Sequence, residues 1–145
     1  MNFKSPSEII FYTIESTIKA YRKSSQKNLS DKVKDMTIDQ GLILAYLDRY
    51  PEKTQKEIAA LAFKDSASMT RMLNLMEKKE YITRSINPEN RRRFHIEITT
   101  KGKNVLQSLA PVIINNRKNA LEGVSEEEIE QLETILSKIR ANCTP

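Results

Sequence analysis

The segment Ser85–Thr99, SINPENRRRFHIEIT, joins a turn, three consecutive arginines and an alternating run. Its NPEN portion has the residue types that favour a tight turn. The FHIEI portion alternates apolar and polar side chains, which predicts a strand with one buried face. The residues just upstream, with Ile82, Arg84 and Ile86, suit the partner strand. The stretch therefore predicts a β-hairpin with arginines at its tip, whose repulsion is offset either by water and counterions or by a polyanion.

Composition and charge indicate the class of binding partner. The chain has 145 residues, 30% charged and 39% hydrophobic, enough for one domain with its own core. Its formal net charge is +5 and its pI about 9.3. The segment Lys78–Lys103 contains eight basic and three acidic residues, a formal charge of +5 that equals that of the whole chain. This concentration of positive charge favours an anionic partner.

Several classes of protein are not supported by the sequence. The single Cys143 excludes an intrachain disulfide and suits the cytoplasm, where we expect the protein to reside. The N-terminus does not read as a signal peptide, and no apolar run approaches the roughly 20 residues of a membrane helix. With only His95 and the distant Cys143, we expect no metal centre and no cofactor. No phosphate-binding loop or nucleophile elbow suggests an enzyme.

Helix-start signals recur along the chain. Four segments have capping-box spacing, in which a hydroxyl and a Glu or Gln three residues later satisfy each other's backbone N–H groups: Ser5–Glu8, Thr37–Gln40, Thr54–Glu57 and Ser125–Glu128. We expect helices at about Pro6–Lys27, Ile38–Tyr50, Gln55–Ala62, Ser66–Lys79, from Thr99 or Thr100 to about Leu121, and from the last box to about Ala141. A polar link at Asn28–Met36 should follow the first helix, and Leu42, Ile43, Tyr46 and Leu47 should bury the second. The fold class is thus mainly α with a small β-hairpin.

The fourth predicted helix has two distinct faces. Met69, Met72, Leu73 and Met76 recur at the spacing of a buried stripe. The remaining face carries hydrogen-bonding groups that could read base edges in a DNA groove, although a plain solvated face is the alternative. These residues are Ser66, Ser68, Thr70, Arg71 and Asn74. A short helix, a turn, a second helix and a basic hairpin follow the order of a winged helix-turn-helix.

Three segments carry a resemblance to a known family. The run ITRSINPENRRRFHIEITTKG, Ile82–Gly102, resembles the wing signature of the MarR family of bacterial transcriptional regulators. Upstream, TQKEIA at Thr54–Ala59 is similar to that family's first helix-turn-helix helix. MTRMLNLMEKK at Met69–Lys79 is similar to its recognition helix. The resemblance covers essentially the whole chain in the order and length of its helices.

The resemblance implies an architecture and a function. It implies one MarR-like domain, in which 33–100 form the winged helix-turn-helix lobe and 1–32 with 101–145 form a helical dimerisation region. A homodimer should bind a pseudo-palindromic operator in double-stranded DNA, as a repressor or an activator, with repressor preferred here. A small aromatic or anionic effector should modulate it. Besides the recognition-helix face, we expect DNA contacts from Thr54, Gln55, Asn90, Arg91 and Arg92, whereas Arg93 could instead pair with a carboxylate.

Departures from the family pattern lie around the wing. Asn87 and Asn90 stand where aspartates are usual, which should leave the wing arginines less constrained. Glu80 stands where glycine is usual after the recognition helix, so a left-handed backbone there would be strained. Because a basic hairpin could also bind an acidic protein, a winged-helix module for protein–protein contact remains the alternative function.

Overall fold

A computed structural model describes residues 3–91 and 94–145 of the chain. The described part contains a 3₁₀ turn at Pro6–Glu8, six α-helices and two strands. The helices are α1 (Ile10–Lys32), α2 (Ile38–Arg49), α3 (Gln55–Leu61), α4 (Ser66–Lys78), α5 (Thr100–Ala120) and α6 (Glu126–Cys143), and the strands are β1 (Ile82–Ile86) and β2 (Phe94–Ile98). The prediction of a mainly helical fold with one hairpin is confirmed.

Most helix starts follow from the capping residues. The side-chain oxygens of Thr37, Thr54 and Ser125 each accept a backbone N–H three residues later at 3.1 Å, within complete capping boxes. Asp65 caps α4 by accepting the Ser68 N–H at 2.7 Å. Thr99 caps α5 by accepting the Gly102 N–H at 3.0 Å. Local side-chain chemistry therefore fixes where five of the described helices begin.

The first helix differs from the prediction at both ends. Ser5 and Glu8 bracket only the 3₁₀ turn, and α1 begins at Ile10. The predicted polar link at Asn28–Met36 is wrong, because α1 continues to Lys32. Leu29 is buried, and the Asn28 side-chain amide donates to Asn116 of α5 at 2.6 Å. Packing against α5 supplies the stabilisation that a polar segment lacks on its own.

The core lies where α2, α3 and α4 meet the base of the hairpin and the first half of α5. Ile43, Leu44, Met69, Leu73 and Leu109 are completely buried. On α2 the prediction was partly wrong: Leu42 and Tyr46 are only half-buried, whereas Leu44, which was not predicted, lies in the core. The cause is that α2 packs on several neighbours, so its buried face is wider than one helical stripe.

The hairpin is antiparallel, with Ile82 opposite Ile98 and Ile86 opposite Phe94. Its apolar face is buried only at the base. Ile82 is 1% exposed, but Ile86 is 62% and Phe94 55% exposed, so the prediction of a buried face holds for the base alone. Among the described residues, therefore, the outer half of the hairpin stays largely exposed.

Two tight connections place the hairpin between α4 and α5. Glu80 has φ 61°, so the backbone after α4 is left-handed at the position where the resemblance implies a glycine. Gly102 allows α5 to begin directly against the hairpin, because a Cβ there would collide with the Tyr81 carbonyl oxygen. Phe63, with φ 55°, adopts the same left-handed conformation between α3 and α4, which the sequence did not indicate.

The terminal helices leave much apolar surface uncovered. Every residue of α6 is described by the structure, and none is buried. Large exposed apolar side chains on the terminal segments are Phe3, Ile10, Phe11, Ile18, Ile114, Leu132 and Ile135. Within the described ranges, no helix is both long enough and apolar enough to cross a membrane.

Candidate nucleic-acid interface

Helix α4 separates an apolar face from a polar one. Met69, Leu73 and Met76 are fully buried, and Met72 is half-buried, as the stripe predicted. On the other face Ser66, Thr70, Arg71 and Asn74 are exposed. Ser68 departs from the prediction, since it is half-buried. The helix therefore presents hydroxyl, guanidinium and amide groups outward from a rigidly packed base.

Short-range hydrogen bonds order the exposed face of α4. The Arg71 guanidinium donates to the Ser68 hydroxyl at 3.1 Å. The Thr70 hydroxyl donates to the Ser66 carbonyl oxygen at 2.9 Å and accepts from the Gln55 amide at 3.4 Å. These are weak, local bonds between partly hydrated groups, so a ligand that offers better partners could replace them.

The start of α3 lies beside this face. Thr54 caps α3, and its own backbone N–H donates to the Glu57 carboxylate at 2.8 Å. The Thr54 hydroxyl is therefore already engaged in capping. Gln55 reaches α4 through its amide nitrogen, while its side-chain oxygen is buried and has no hydrogen-bond partner among the described residues. Such an oxygen could accept a bond from a bound group or from water.

Arg84 of β1 fastens the hairpin to α4. Its guanidinium donates to the Asn74 side-chain oxygen and, at 3.3 Å, to the Glu77 carboxylate. It also lies 5.8 Å from the ring centroid of Phe94, within cation–π range. The Arg84 side chain is only 15% exposed. The Asn74 side-chain oxygen, expected to face a partner, is thus held by the hairpin.

Sequence reasoning counted Arg84 only as one of several positive charges. A signal was available, because Arg84 alternates with Ile82 and Ile86 on one face of β1. A charged side chain on an apolar strand face is costly to bury unless an opposite charge or a hydrogen-bonding group pairs with it. The hydrogen bond and charge of Arg84 lower the pKa of Glu77 despite the opposing effect of burial. The Glu77 carboxylate is therefore ionised at neutral pH.

The turn of the hairpin is shaped by Asn87. Its side-chain oxygen accepts the Glu89 N–H at 2.9 Å, and its carbonyl oxygen accepts the Asn90 N–H at 3.2 Å. Asn90 and Arg91 are exposed. Arg92 and Arg93 lie outside the described residues, so the predicted contact of Arg92 and the alternative pairing of Arg93 stay predictions.

A cleft of about 440 Å³ separates the hairpin from the starts of α3 and α4. Thr54, Gln55 and Ser66 line one side, and Phe94 and His95 line the other. Lys53 and Lys56, which sequence reasoning did not single out, also reach this cleft. The cleft is therefore lined by both polar and apolar side chains, and its lysines could contact a phosphate.

The remaining candidate residues have ordinary surroundings. His95 is on the polar face of β2, as predicted, with its side chain half exposed and 2.9 Å from the Glu97 carboxylate. Cys143 is exposed in the last turn of α6. Among residues 3–91 and 94–145, no three His, Cys, Asp or Glu side chains are grouped as metal ligands.

The order α3, turn, α4 and basic hairpin, with α4 packed by one face and polar on the other, defines a winged helix-turn-helix protein. We therefore call α4 the recognition helix and the hairpin the wing. A family model described as the MarR family matches residues 36–94, which span α2 to the start of β2.

Solved structures extend the likeness beyond that range. The chain is similar to a transcriptional regulator SlyA, with 28% identity, a TM-score of 0.80, and 92% of this chain and 93% of that chain covered. It is similar to Staphylococcus aureus MepR in complex with DNA, with 22% identity, a TM-score of 0.84, and coverages of 97% and 100%. Bordetella bronchiseptica BpsR has the same fold, with 15% identity, a TM-score of 0.84, and coverages of 96% and 98%. Residues 36–94 thus match the MarR family model, and almost the whole chain is similar to the transcriptional regulator SlyA.

Proposed function

We propose that this protein is a homodimeric repressor that binds a pseudo-palindromic operator in double-stranded DNA. The observation that carries the proposal is the two-faced recognition helix, whose buried side contains Met69, Leu73 and Met76 and whose exposed side contains Thr70 and Arg71. A helix with this division can enter the major groove while its packing holds its orientation. MepR, which shares the fold over its whole length, has been crystallised with DNA.

Each group of side chains has a proposed role. Arg71, Ser66, Ser68, Thr70 and Asn74 contact base edges or nearby phosphates from the recognition helix. The wing residues Asn90, Arg91 and Arg92 contact the backbone or the minor groove beside it. Thr54 and Gln55, with Lys53 and Lys56 at the same cleft, hold the phosphates between these two points. Charge concentrated in the wing and its flanks supports this assignment, because phosphate contacts dominate the affinity of such proteins.

The dimer is proposed from surface that one chain cannot cover. In the domain organisation we propose, 33–100 form the DNA-binding lobe, and 1–32 with 101–145 form the dimerisation region. The exposed side chains Ile10, Phe11 and Ile18 of α1 and Ile135 of α6 are at least half exposed in the single chain. Large apolar side chains left exposed on the terminal helices support an interface there, and a two-fold axis would pair two recognition helices about one DNA turn apart.

A structural neighbour suggests a class of effector for this protein. BpsR is a protein whose DNA binding is regulated by 6-hydroxynicotinic acid, a small aromatic acid. A small aromatic or anionic molecule that changes the distance between the two lobes is the effector class proposed here.

Selection of bound DNA from a random duplex library tests the DNA-binding function. We expect enrichment of a palindrome with half-sites about 10 base pairs apart, centre to centre. Arg71→Ala should then lose preference at particular base pairs or lose affinity for all sequences. Lys34→Ala is the matched control, since Lys34 is an exposed cation in the loop that Lys79 ties to the far end of α4. A protein that selects no sequence would instead be the protein–protein module.

Sedimentation at low micromolar concentration tests the dimer independently of DNA. The expected species has twice the chain mass of 16.7 kDa. A folded monomer at that concentration would rule out the two-fold arrangement of recognition helices. Selection of a single half-site without a repeat would agree with that result.

A further inference from the structure

Asp39, in the first turn of α2, accepts hydrogen bonds from two basic side chains, one on α1 and one in the turn between α3 and α4. Its Oδ1 accepts from the Arg22 guanidinium at 2.8 Å, and its Oδ2 accepts from the Lys64 ammonium at 2.6 Å. Asp39 and Lys64 have side chains only 21% and 24% exposed, and that of Arg22 is 45% exposed. This is not a pair of flexible surface residues but a partly enclosed three-residue network.

The network joins three elements with different proposed tasks. Arg22 belongs to α1, in the proposed dimerisation region. Lys64 lies between α3 and α4 and immediately precedes Asp65, the residue that caps the recognition helix. Asp39 therefore connects α1, through Arg22, to the N-terminal end of α4, through Lys64.

The backbone at Lys64 is held in place by the turn between α3 and α4. The Lys64 N–H donates to the Ala59 carbonyl oxygen at 2.8 Å, and the preceding Phe63 is in the left-handed conformation. Phe63 is 95% exposed, so packing of its ring does not account for that conformation. The turn therefore holds the Lys64 backbone beside the start of α4, and the 2.6 Å bond from the Lys64 ammonium to Asp39 links this turn to α2.

The Asp39 carboxylate is kept charged by its two partners. Burial by itself would raise the pKa of Asp39, but the hydrogen bonds and charges of Lys64 and Arg22 outweigh burial and lower it. At neutral pH the carboxylate is therefore ionised and can hold both cations at once. Loss of its charge would leave Lys64 and Arg22 partly enclosed without an anion, which favours their separation.

The opposite end of the recognition helix has a separate attachment. The Lys79 ammonium donates to the Asp35 carbonyl oxygen at 2.6 Å and to the Gln40 side-chain oxygen at 3.1 Å. Because Gln40 follows Asp39 on α2, both ends of α4 are fastened to the first turn of the same helix. If the Asp39 network is lost, α4 stays attached at its C-terminal end, and the end that faces DNA gains freedom.

We propose that Asp39 is a positioning residue that fixes the recognition helix relative to the dimerisation helix, and thereby sets the half-site spacing that the dimer accepts. This inference rests on the proposed function, since spacing has meaning only for a dimer that binds two half-sites. Asp39 does not touch DNA in this arrangement. Its effect on specificity passes through Lys64 to the start of α4 and through Arg22 to α1.

The test is Asp39→Asn, which keeps the shape of the side chain and removes its charge. Affinity is measured on a single half-site and on the selected operator with its half-sites one or two base pairs closer or further apart. We expect the ratio of affinities between native and altered spacing to fall roughly fivefold, the usual size of coupling between two elements, with little change on the single half-site. An unchanged spacing profile in a folded dimer would overturn the proposal.

Two further variants keep the test decisive. Asp31→Asn is the matched control, because Asp31 forms a 3.8 Å pair with Lys27 on the surface of α1 and should keep the native spacing profile. If Asp39→Asn does not fold, Arg22→Gln cuts the network on the α1 side and should flatten the profile in the same way. Retention of the native profile by folded Arg22→Gln would overturn the link to the dimerisation helix. Failure of the wild-type protein to distinguish any spacing would instead refute the proposed function.

Discussion

Replacing Glu80 with glycine should stabilise the protein. Glu80 joins the recognition helix to the wing with φ 61°, a conformation that costs a non-glycine residue about 1–2 kcal/mol. Glycine removes that cost but adds about 0.4–1 kcal/mol of freedom to the unfolded chain. Taking the middle of each range, the expected net gain is about 0.8 kcal/mol in the free energy of unfolding. For a chain of this size, that gain should raise the melting temperature by roughly 2–3 °C.

The matched control is Glu80→Ala. Glu80 also lies 3.7 Å from the Lys101 ammonium in an exposed pair, which both variants remove. Comparing the two variants therefore isolates the backbone conformation from the loss of charge. Thermal and urea unfolding should be measured at one protein concentration, because association shifts apparent stability. If Glu80→Gly were no more stable than Glu80→Ala, the strain assigned to this turn would be refuted.

Three further results are expected. Replacing both Arg91 and Arg92 with alanine should weaken binding to all DNA sequences. Filter binding at several salt concentrations should show a slope of log affinity against log salt that is smaller by about 0.9 per lost phosphate contact. Unchanged affinity at moderate salt would refute the wing contact. Gly102→Ala should destabilise the protein by about 1–3 kcal/mol in urea unfolding, because a Cβ there collides with the Tyr81 backbone. Gly41→Ala should not destabilise the protein in this way, because a Cβ there would meet Leu109 at an ordinary 3.6 Å. Equal losses of unfolding free energy in the two variants would contradict the packing argument. Since its folded-state pKa is lowered, Asp39 contributes stability that is present above its ordinary pKa of 3.8 and is lost as pH falls through the folded-state value. Wild-type protein should therefore lose more unfolding free energy than Asp39→Asn as pH drops below 3.8, and parallel losses would count against the network.

The sequence by itself determined the elements whose signals are local. Capping residues such as Thr37, Thr54 and Ser125 act on the backbone three residues away, so their spacing predicts a helix start without any knowledge of the fold. The apolar spacing of α4 fixed its buried face, because a helix can present that stripe to only one side. The resemblance also marked Glu80 as standing where the family usually has glycine, the residue type that favours the left-handed backbone found there.

The tertiary structure alone decided what depends on partners distant along the chain. The last turns of α1 are helical because Leu29 and Asn28 pack on α5, although the same residues read locally as a polar link. Arg84 faces Asn74 and Glu77 rather than solvent because the wing folds back on α4. Asp39 meets Arg22 and Lys64 across separations of 17 and 25 residues, which no local pattern encodes. Such contacts depend on where whole elements pack, and packing is a property of the assembled chain rather than of any one segment.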